Sequence, residues 1–256
     1  AACFLIPRSG LQQRKYPEPP DSVRTCYMRD RDRVIHSKAF RRLKHKTQVY
    51  ISPGNDHYRT RLTHTLEVCQ IAKTIGRALN LNCDLIEAIA LAHDVGHTPF
   101  AHCGENVLNE CMKNGFRHNV NSVRVLSKIE RHGQRRGLNL SWEVLDGVLN
   151  HSGFSHNETH AATLEGQIIR YSDKIAYVQH DIDDTIRANI FVEEDLPAEF
   201  TDVLGHNLSD RITVLVNDLI VQGQKITRDS WEGERILTFS PEIDAALRGL
   251  RSFMFD

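Results

Sequence analysis

The stretch AIALAHDVGHTPFAHCGEN, residues 88–106, places charged side chains directly after a largely apolar run. The run Ile86–Leu91 is apolar and alanine-rich, which predicts a buried helix. Five groups that can carry charge follow within thirteen residues: His93, Asp94, His97, His102 and Glu105. Because a buried charge must be paired or must bind a metal, this segment indicates a functional site and not only packing.

Two further segments extend this pattern. His64 lies upstream in THTLEV, and Asp173 lies downstream in YSDKIAY. Neighbouring residues on a helix point about 100° apart, so His93 and Asp94 can both reach one ion near a helix end. His64 and Asp173 must then come from other helices, which the core of a helical bundle permits. Imidazole and carboxylate ligands suit Mn, Fe, Mg or Zn.

Apolar residues at helical spacing recur along the chain, whereas strand-like alternation is scarce. The sequence therefore predicts an all-α fold. The helices that we expect cover Arg29–Lys46, Thr60–Leu79, Cys83–His93, Gly104–Lys113, His118–Ile129, Trp142–Leu149, Leu164–Arg187, Pro197–Leu219 and Pro241–Phe253.

The expected organisation is an irregular leader over residues 1–23, which contain Pro7, Pro17, Pro19 and Pro20, followed by one domain over residues 24–256. Gly133–Gly137 is expected to be a basic loop. The polar segment HSGFSHNETH, His151–His160, has two interpretations. Its histidines could bind another metal, but a mobile loop near the pocket is favoured because their spacing does not follow a helix.

Hydropathy, cysteine spacing and charge each indicate what class of protein this is. No run approaches the roughly 18 apolar residues of a membrane span. The six cysteines are scattered without a CxxC pair, which fits a cytoplasmic protein. The net charge is −1, but Arg24–Gln48 holds nine Lys and Arg against two Asp. This basic segment is either a phosphate-binding wall or a solvated helix face that pairs with acids.

Four stretches carry a resemblance to a known family: RDRDRVIHSKAFRRLKHKTQV (29–49), HYRTRLTHTLEV (57–68), EAIALAHDVGHTPFAHCGE (87–105) and YSDKIAYVQHDIDD (171–184). Together they resemble the dGTPase family of the HD-domain phosphohydrolases. The resemblance implies an all-α HD-domain bundle and hydrolysis of a deoxynucleoside triphosphate (dNTP) to deoxynucleoside and tripolyphosphate. It also implies a divalent ion (Mn²⁺, Mg²⁺ or Fe²⁺) held by His64, His93, Asp94 and Asp173.

The resemblance assigns the remaining roles as well. His102 and Glu105, which share a helix face at a spacing of three, match the catalytic His and acid. His118 matches a histidine expected to contact phosphate or to act as an acid. The expected substrate-binding residues are Gln48 and Asp181 for the sugar 3′-hydroxyl, Tyr177 under the deoxyribose, Arg61 and Lys174 for phosphate, and His97 beside the metal.

Partners follow from the same resemblance: a dNTP substrate, a dNTP activator, and further copies of the chain in a tetramer or hexamer. Full-length relatives are expected to continue beyond residue 256. Two alternatives stay open. The same site could act on a nucleoside monophosphate, a cyclic dinucleotide or an alarmone, although Gln48, Tyr177 and Asp181 favour a deoxyribose. The chain could instead bind nucleotides or single-stranded nucleic acid, although Tyr27 and Phe40 alone offer aromatic rings within the basic segment.

Overall fold

The computed structural model describes residues 14–48, 59–153, 159–188, 190–227 and 234–255. By internal contacts the chain forms two compact units, the first ending at Ser172 and the second beginning at Asp173. The expectation of a leader before residue 24 and one domain after it stays a prediction.

The described residues are predominantly helical, which confirms the all-α prediction. The helices are α1 (Cys26–Ile35), α2 (Lys38–Arg42), α3 (Arg61–Ala78), α4 (Cys83–Ala92), α5 (Ala101–Cys111), α6 (His118–Arg124), α7 (Trp142–Leu149), α8 (Leu164–Arg187), α9 (Ala198–Leu204), α10 (Leu208–Ile226) and α11 (Pro241–Phe255). Short 3₁₀ turns cover Leu43–His45 and Glu193–Asp195, and a π-helical turn covers Val125–Ile129.

The described part of the chain contains two strands, β1 (Arg131–His132) and β2 (Arg135–Arg136), which pair as an antiparallel hairpin. The loop expected at Gly133–Gly137 therefore holds the hairpin turn and the second strand. Gly133 and Gly137 have φ angles of +61° and +82°, a region that glycine enters without steric cost.

Three predicted helices are interrupted in the structure. The helix expected over Arg29–Lys46 begins at Cys26 and breaks at Ser37, whose hydroxyl accepts a hydrogen bond from the Phe40 amide and starts α2. Serine is a favoured N-cap because it satisfies such an amide. The helix expected over His118–Ile129 changes to a π-helical turn after Arg124. The helix expected over Pro197–Leu219 ends before Gly205, where φ is +111°.

Helix α4 lies at the centre of the first unit, packed against α1, α3 and α7. Leu85, Ile86 and Ile89 are fully buried, as are Ala88 and Ala90. Apart from Asp84 in its first turn and Glu87, which pairs with Arg31 and Lys73, α4 is apolar, and such a helix is expected to lie inside a protein. The carboxyl end of α4 consequently delivers His93 and Asp94 into the interior.

The second unit packs α9 against α10 and α11 around Leu204, Leu215 and Leu250. Arg211 is buried there, and its Nε donates to Gln179 Oε1 at 2.7 Å. No helix among the described residues is long and apolar enough to cross a membrane.

Candidate metal and catalytic centre

His93 occupies the C-cap of α4, and its ring orientation is fixed by the helix itself. Nδ1 lies 2.6 Å from the carbonyl oxygen of Ala90. Because a carbonyl oxygen only accepts, Nδ1 carries the proton and donates. In the neutral ring, Nε2 therefore presents its lone pair toward Asp94, whose Oδ2 lies 3.5 Å away.

The turn after α4 is held by α6. Ser122 Oγ donates to the carbonyl oxygen of His93 at 2.7 Å and accepts from the Gly96 amide at 2.9 Å. Asn121 Nδ2 donates to the Gly96 carbonyl at 2.7 Å. A Cβ on Gly96 would lie 2.2 Å from the Ser122 backbone nitrogen, so glycine is required for this close approach.

Helix α3 supplies the next two residues of the centre. Arg61 and His64 are three apart and therefore share a helix face. His64 Nε2 lies 4.0 Å from Asp94 Oδ2, and Arg61 NH1 donates a hydrogen bond to that oxygen. All three side chains are buried. The structure thus brings together Arg61, His64, His93 and Asp94, with Arg61 bound directly to the aspartate. The roles assigned to these residues stay predictions.

Asp94 is held as a carboxylate by its surroundings. Burial alone would raise the pKa of its carboxyl, but Arg61 and the histidines around it hold that pKa well below its ordinary value. Lys46 adds another cation nearby, and its Nζ donates to the Val95 carbonyl at 3.1 Å. Burial lowers the pKa of Lys46 to about 8, assisted by Arg61 and opposed by the charge of Asp94.

Glu105 on α5 links two histidines. His102 Nδ1 lies 3.2 Å from Oε2 of Glu105, and His118 Nδ1 lies 2.9 Å from the same oxygen. Burial tends to raise the pKa of Glu105, but the hydrogen bonds from His102 and His118 lower it below its ordinary value. Burial tends to lower the pKa of His118, but Glu105 and Asp94 raise it. The side chain of His102 is 51% exposed, so it faces solvent while Glu105 and His118 do not.

His97 lies beside this pair. Its ring stacks on His118 with centroids 4.5 Å apart, and neither ring nitrogen makes a hydrogen bond within the described residues. Burial, reinforced by the charge of Arg61, lowers the pKa of His97 to about 2, so its ring is neutral. A neutral, buried ring with both nitrogens available suits contact with a ligand. Its assignment to substrate stays a prediction.

His151 lies beside the same centre, although the sequence favoured a mobile loop over a metal-binding role for it. It is buried, its Nδ1 donates to the Val148 carbonyl at 2.7 Å, and its Nε2 lies 3.2 Å from Nε2 of His118. Its Nε2 is also 3.9 Å from Asp94 Oδ1. The interpretation of His151 as part of a polar mobile loop is wrong for this residue. Residues 154–158, which include His156, lie outside the described part.

A signal for His151 existed in the sequence. His93 follows the apolar end of α4, and His151 follows the apolar end of α7 in nearly the same way. Both rings bond a carbonyl oxygen three residues earlier. A histidine that directly follows a buried helix is therefore a good candidate for a metal or catalytic centre, even where the loop after it is polar.

The remaining residues predicted to bind metal or substrate lie partly in the first unit and partly in the second. Gln48 is 1% exposed, and neither atom of its amide group makes a hydrogen bond within the described residues. Asp173, Lys174, Tyr177 and Asp181 lie on α8 within the second unit. Asp173, Tyr177 and Asp181 are four residues apart, which places them along one face of that helix. Their assigned roles stay predictions from the sequence.

The residues present fit a divalent cation. The ligand atoms of His64, His93 and Asp94 lie within 4.8 Å of one another, and the same holds for those of Asp94, His118 and His151. Ligating histidines commonly donate their second ring nitrogen to a backbone carbonyl or a carboxylate, as His93, His118 and His151 do. Donor chemistry and orientation therefore both match a metal centre.

The basic segment Arg24–Gln48 was expected either to bind phosphate or to pair with acids, and its cations differ in what surrounds them. Arg24, Arg29, Arg31 and Arg33 form ion pairs with acids of the first unit at 2.5–3.2 Å. A surface cavity of about 690 Å³ is lined by Lys38, Arg41 and Arg42, and also by Arg24, Arg29 and Arg33. Pairing with acids thus accounts for Arg24 and for the three arginines of α1, and a phosphate-binding role stays a prediction for the α2 cations.

Comparison with known proteins places this centre in a family. Residues 61–178 match the HD domain family. A deoxyguanosinetriphosphate triphosphohydrolase-like protein of Clostridium tetani is 61% identical over 240 residues, covering 93% of this chain and 67% of that protein. A protein with the same name from Desulfatibacillum aliphaticivorans is 45% identical, covering 99% of this chain and 72% of its own length. Another from Brucella canis is 41% identical, covering 94% of this chain and 74% of its own length. The chain therefore belongs to the deoxyguanosinetriphosphate triphosphohydrolase-like family of HD-domain proteins.

Proposed function

We propose that the chain is a metal-dependent phosphohydrolase that converts a dNTP and water to a deoxynucleoside and tripolyphosphate. One observation carries the proposal: Glu105 bonds the exposed His102 while it also bonds His118, which lies against the buried ligand set around Asp94. A solvent-facing proton carrier is thereby coupled to a buried cation site. Metal-assisted hydrolysis of a phosphate ester uses both features.

The cation would be held by His64, His93 and Asp94, and the sequence pattern adds Asp173 as a predicted ligand. When bound, such an ion neutralises charge on phosphate oxygens and makes phosphorus more electrophilic. Asp94 is kept ionised by Arg61, so it is ready to bind a cation without first losing a proton. We expect Mn²⁺, Mg²⁺ or Fe²⁺, because this donor set suits each of them.

His102 is the group that we assign to proton transfer. Its Nδ1 faces the Glu105 carboxylate, which the low pKa of Glu105 keeps ionised, so Nδ1 donates and Nε2 is the atom that exchanges a proton. A carboxylate behind an imidazole fixes its tautomer and stabilises its protonated form. His118 shares Glu105, and a phosphate contact or an acid role remains its assignment from the sequence.

Recognition of the substrate is proposed from the family resemblance. Arg61 has Nε and NH2 atoms that make no hydrogen bond within the described residues, which suits a phosphate oxygen as acceptor. The buried amide of Gln48 likewise suits a sugar hydroxyl. Tyr177 and Asp181 are assigned to the deoxyribose and Lys174 to phosphate by the sequence alone.

Hydrolysis of another nucleotide by the same centre is the main alternative, because the metal and proton-transfer residues would serve it equally well. A pure binding role explains the basic segment but not the His102–Glu105 pair. A dNTP activator, a tetramer or hexamer and a cytoplasmic location remain predictions from the resemblance.

A product assay tests the proposal. The purified chain is incubated with each dNTP and with GTP, singly and mixed, in Mn²⁺ or Mg²⁺, and products are separated by ion exchange. Deoxynucleoside with intact tripolyphosphate is the expected result, and Asp94→Ala should lose both bound metal and turnover. Release of orthophosphate or pyrophosphate, or turnover only of another nucleotide class, would contradict the proposed reaction.

Tyr177→Ala should relax discrimination against GTP, and unchanged selectivity would remove Tyr177 from the sugar pocket.

A further inference from the structure

We infer that the first unit carries a docking site for a partner protein, which presents an acidic segment with an apolar anchor, a large aliphatic or aromatic side chain. The site is a cavity of about 330 Å³ beside the β1–β2 hairpin, and all the residues that line it belong to the first unit. These residues differ from those assigned to metal binding and proton transfer. The inference therefore goes beyond the proposed function and does not depend on it.

The walls of the cavity are largely apolar. Leu140, Trp142 and Leu145 line it together with Tyr16. Trp142 and Leu145 are three residues apart on α7 and share a helix face, and both are only partly buried. An apolar side chain that entered the cavity would remove these surfaces and its own from water, which is the main favourable term in most protein association. The volume is near the lower end of the range for ligand pockets, about 300–1,000 Å³, and suits one or two side chains.

The polar side chains that line the cavity are already bonded within the fold. Arg14 donates to Asp30 and to the Asn139 carbonyl oxygen. The Asn139 side chain accepts from the Tyr16 amide at 3.0 Å and donates to the Tyr16 carbonyl at 2.8 Å. The Ser127 hydroxyl donates to a backbone carbonyl one turn earlier at 2.6 Å. A nucleobase would need partners for its polar edges, whereas an apolar side chain needs none, so this lining favours a peptide over a nucleic acid.

The rim of the cavity is cationic. Lys15 and Arg136 line the cavity, and Arg135 adjoins it in the hairpin. The Lys15 Nζ and Arg135 Cζ atoms each lie 5.3 Å from the centroid of the Tyr16 ring, within the range of cation–π attraction. Within the described part of the chain, none of these three cations forms an ion pair with an acid. Cations around an apolar cavity are complementary to carboxylates that flank an apolar anchor, which is why the partner segment is acidic.

Backbone bonds hold the rim in place. The two strands of the hairpin pair with each other, and the Gly137 amide donates to the Glu130 carbonyl at 2.7 Å. The Leu138 amide donates to the Leu126 carbonyl at 2.8 Å. The backbone that carries Arg136 is thereby fixed beside the cavity before a partner arrives. A pre-formed site loses less conformational entropy on binding.

Fluorescence anisotropy with the full chain tests the inference. The probe is a labelled peptide of four aspartates followed by leucine and phenylalanine. Wild type should bind it, and more weakly as salt is raised. Serines in place of the leucine and phenylalanine should weaken binding at least about tenfold, because burial of a large apolar side chain contributes on that scale. This comparison uses one protein, so it does not depend on how a variant folds.

A charge reversal at the rim provides the second comparison. Arg136→Glu should weaken peptide binding about tenfold or more, because a carboxylate at the rim repels the acidic segment. Lys113→Glu makes the same charge change at an exposed position just after α5 and should bind like wild type.

Tryptophan emission locates the bound peptide. The sequence has two tryptophans, Trp142 and Trp231, so Trp231→Phe leaves Trp142 as the reporter. The peptide should shift the Trp142 emission in this background, and adding Arg136→Glu should remove the shift at the same peptide concentration.

Four outcomes would overturn the inference. Equal binding of the serine peptide, or an equal loss in Lys113→Glu and Arg136→Glu, would show attraction between net charges without a docking site. Absence of peptide binding, or binding without a change in Trp142 emission, would leave the cavity without this occupant. Tighter binding of an oligothymidylate of equal charge, with the same dependence on Arg136, would make the site one for nucleic acid. None of these outcomes bears on dNTP hydrolysis, which the product assay decides separately.

Discussion

Glu105 binds His118 through three hydrogen bonds. The Nδ1 atom of His118 lies 3.0 Å and 2.9 Å from the two carboxylate oxygens, and the His118 amide donates to Oε1 at 2.7 Å. The Glu105 carboxylate on α5 therefore fixes both the His118 ring and the first residue of α6. The same carboxylate bonds His102, so it joins the solvent-facing histidine to the buried group around Asp94.

Replacing Glu105 by glutamine should lower kcat about 10–100-fold, because a neutral amide orients both histidines less well. KM for a dNTP should change much less, since Glu105 acts through its neighbours. Glu105→Asp, which keeps the charge, should recover part of the rate. Steady-state kinetics provide the test, with Glu110→Gln on the exposed side of α5 as control. Equal kcat in Glu105→Gln and wild type would show that Glu105 is only structural.

Replacing His102 by alanine should lower the rate about 10²–10⁴-fold, the usual contribution of an acid–base group. Bound Mn²⁺ should be unchanged, because His102 is exposed and does not belong to the ligand set of His64, His93 and Asp94, to which the ion is assigned. Single-turnover rates and metal content measured on one preparation separate these two effects. His132→Ala serves as control. A variant that lost its metal together with its rate would place His102 among the ligands.

The pattern of the chain was sufficient to predict much of this centre, for physical reasons that differ between residues. His93 and Asp94 were predicted because an apolar helix must be buried and carries them inward. His151 was missed because its burial comes from α7 packing against α4 and α6, which local polarity does not reveal. Similarly, the break at Ser37 depends on capping of the Phe40 amide, which competes with continuation of an otherwise helical pattern.

Gly96→Ala should disturb the centre without touching a ligand. The new Cβ would lie 2.2–2.6 Å from backbone atoms of Asn121 and Ser122, which cannot rotate away. We expect a loss of about 1–3 kcal/mol in the free energy of unfolding, as for other overpacked sites, and a marked loss of turnover. Gly133→Ala is the control, because nothing lies within 4 Å of its added Cβ. Because φ at residue 133 is +61°, an alanine there should also lower the free energy of unfolding, but turnover should be unchanged.

Chemical denaturation and kinetics together check this prediction. Gly96→Ala with wild-type turnover would show that the bonds from Ser122 and Asn121 do not set the positions of His93 and Asp94.

Glu18 fastens the segment before α1 to the first unit. Its carboxylate accepts from Arg29 at 2.6 Å, from Arg33 at 2.5 Å and from Asn139 at 2.7 Å. Burial tends to raise the pKa of Glu18, but the bonds from Arg33 and Asn139 and the nearby arginine charges lower it to about 2. The folded state therefore holds this carboxylate ionised at pH values where the unfolded chain protonates it.

A pKa lowered by folding stabilises the protein above the unfolded value, near 4.5, and that stability is lost as pH falls toward 2. Glu18→Gln should consequently unfold about 2 kcal/mol more easily at pH 7, the usual scale for hydrogen bonds to charged groups. The difference from wild type should shrink between pH 4.5 and pH 2. Urea unfolding at several pH values measures it, with Glu110→Gln as the exposed control. A difference that stays constant down to pH 2 would show that packing, and not the charge of Glu18, holds this segment.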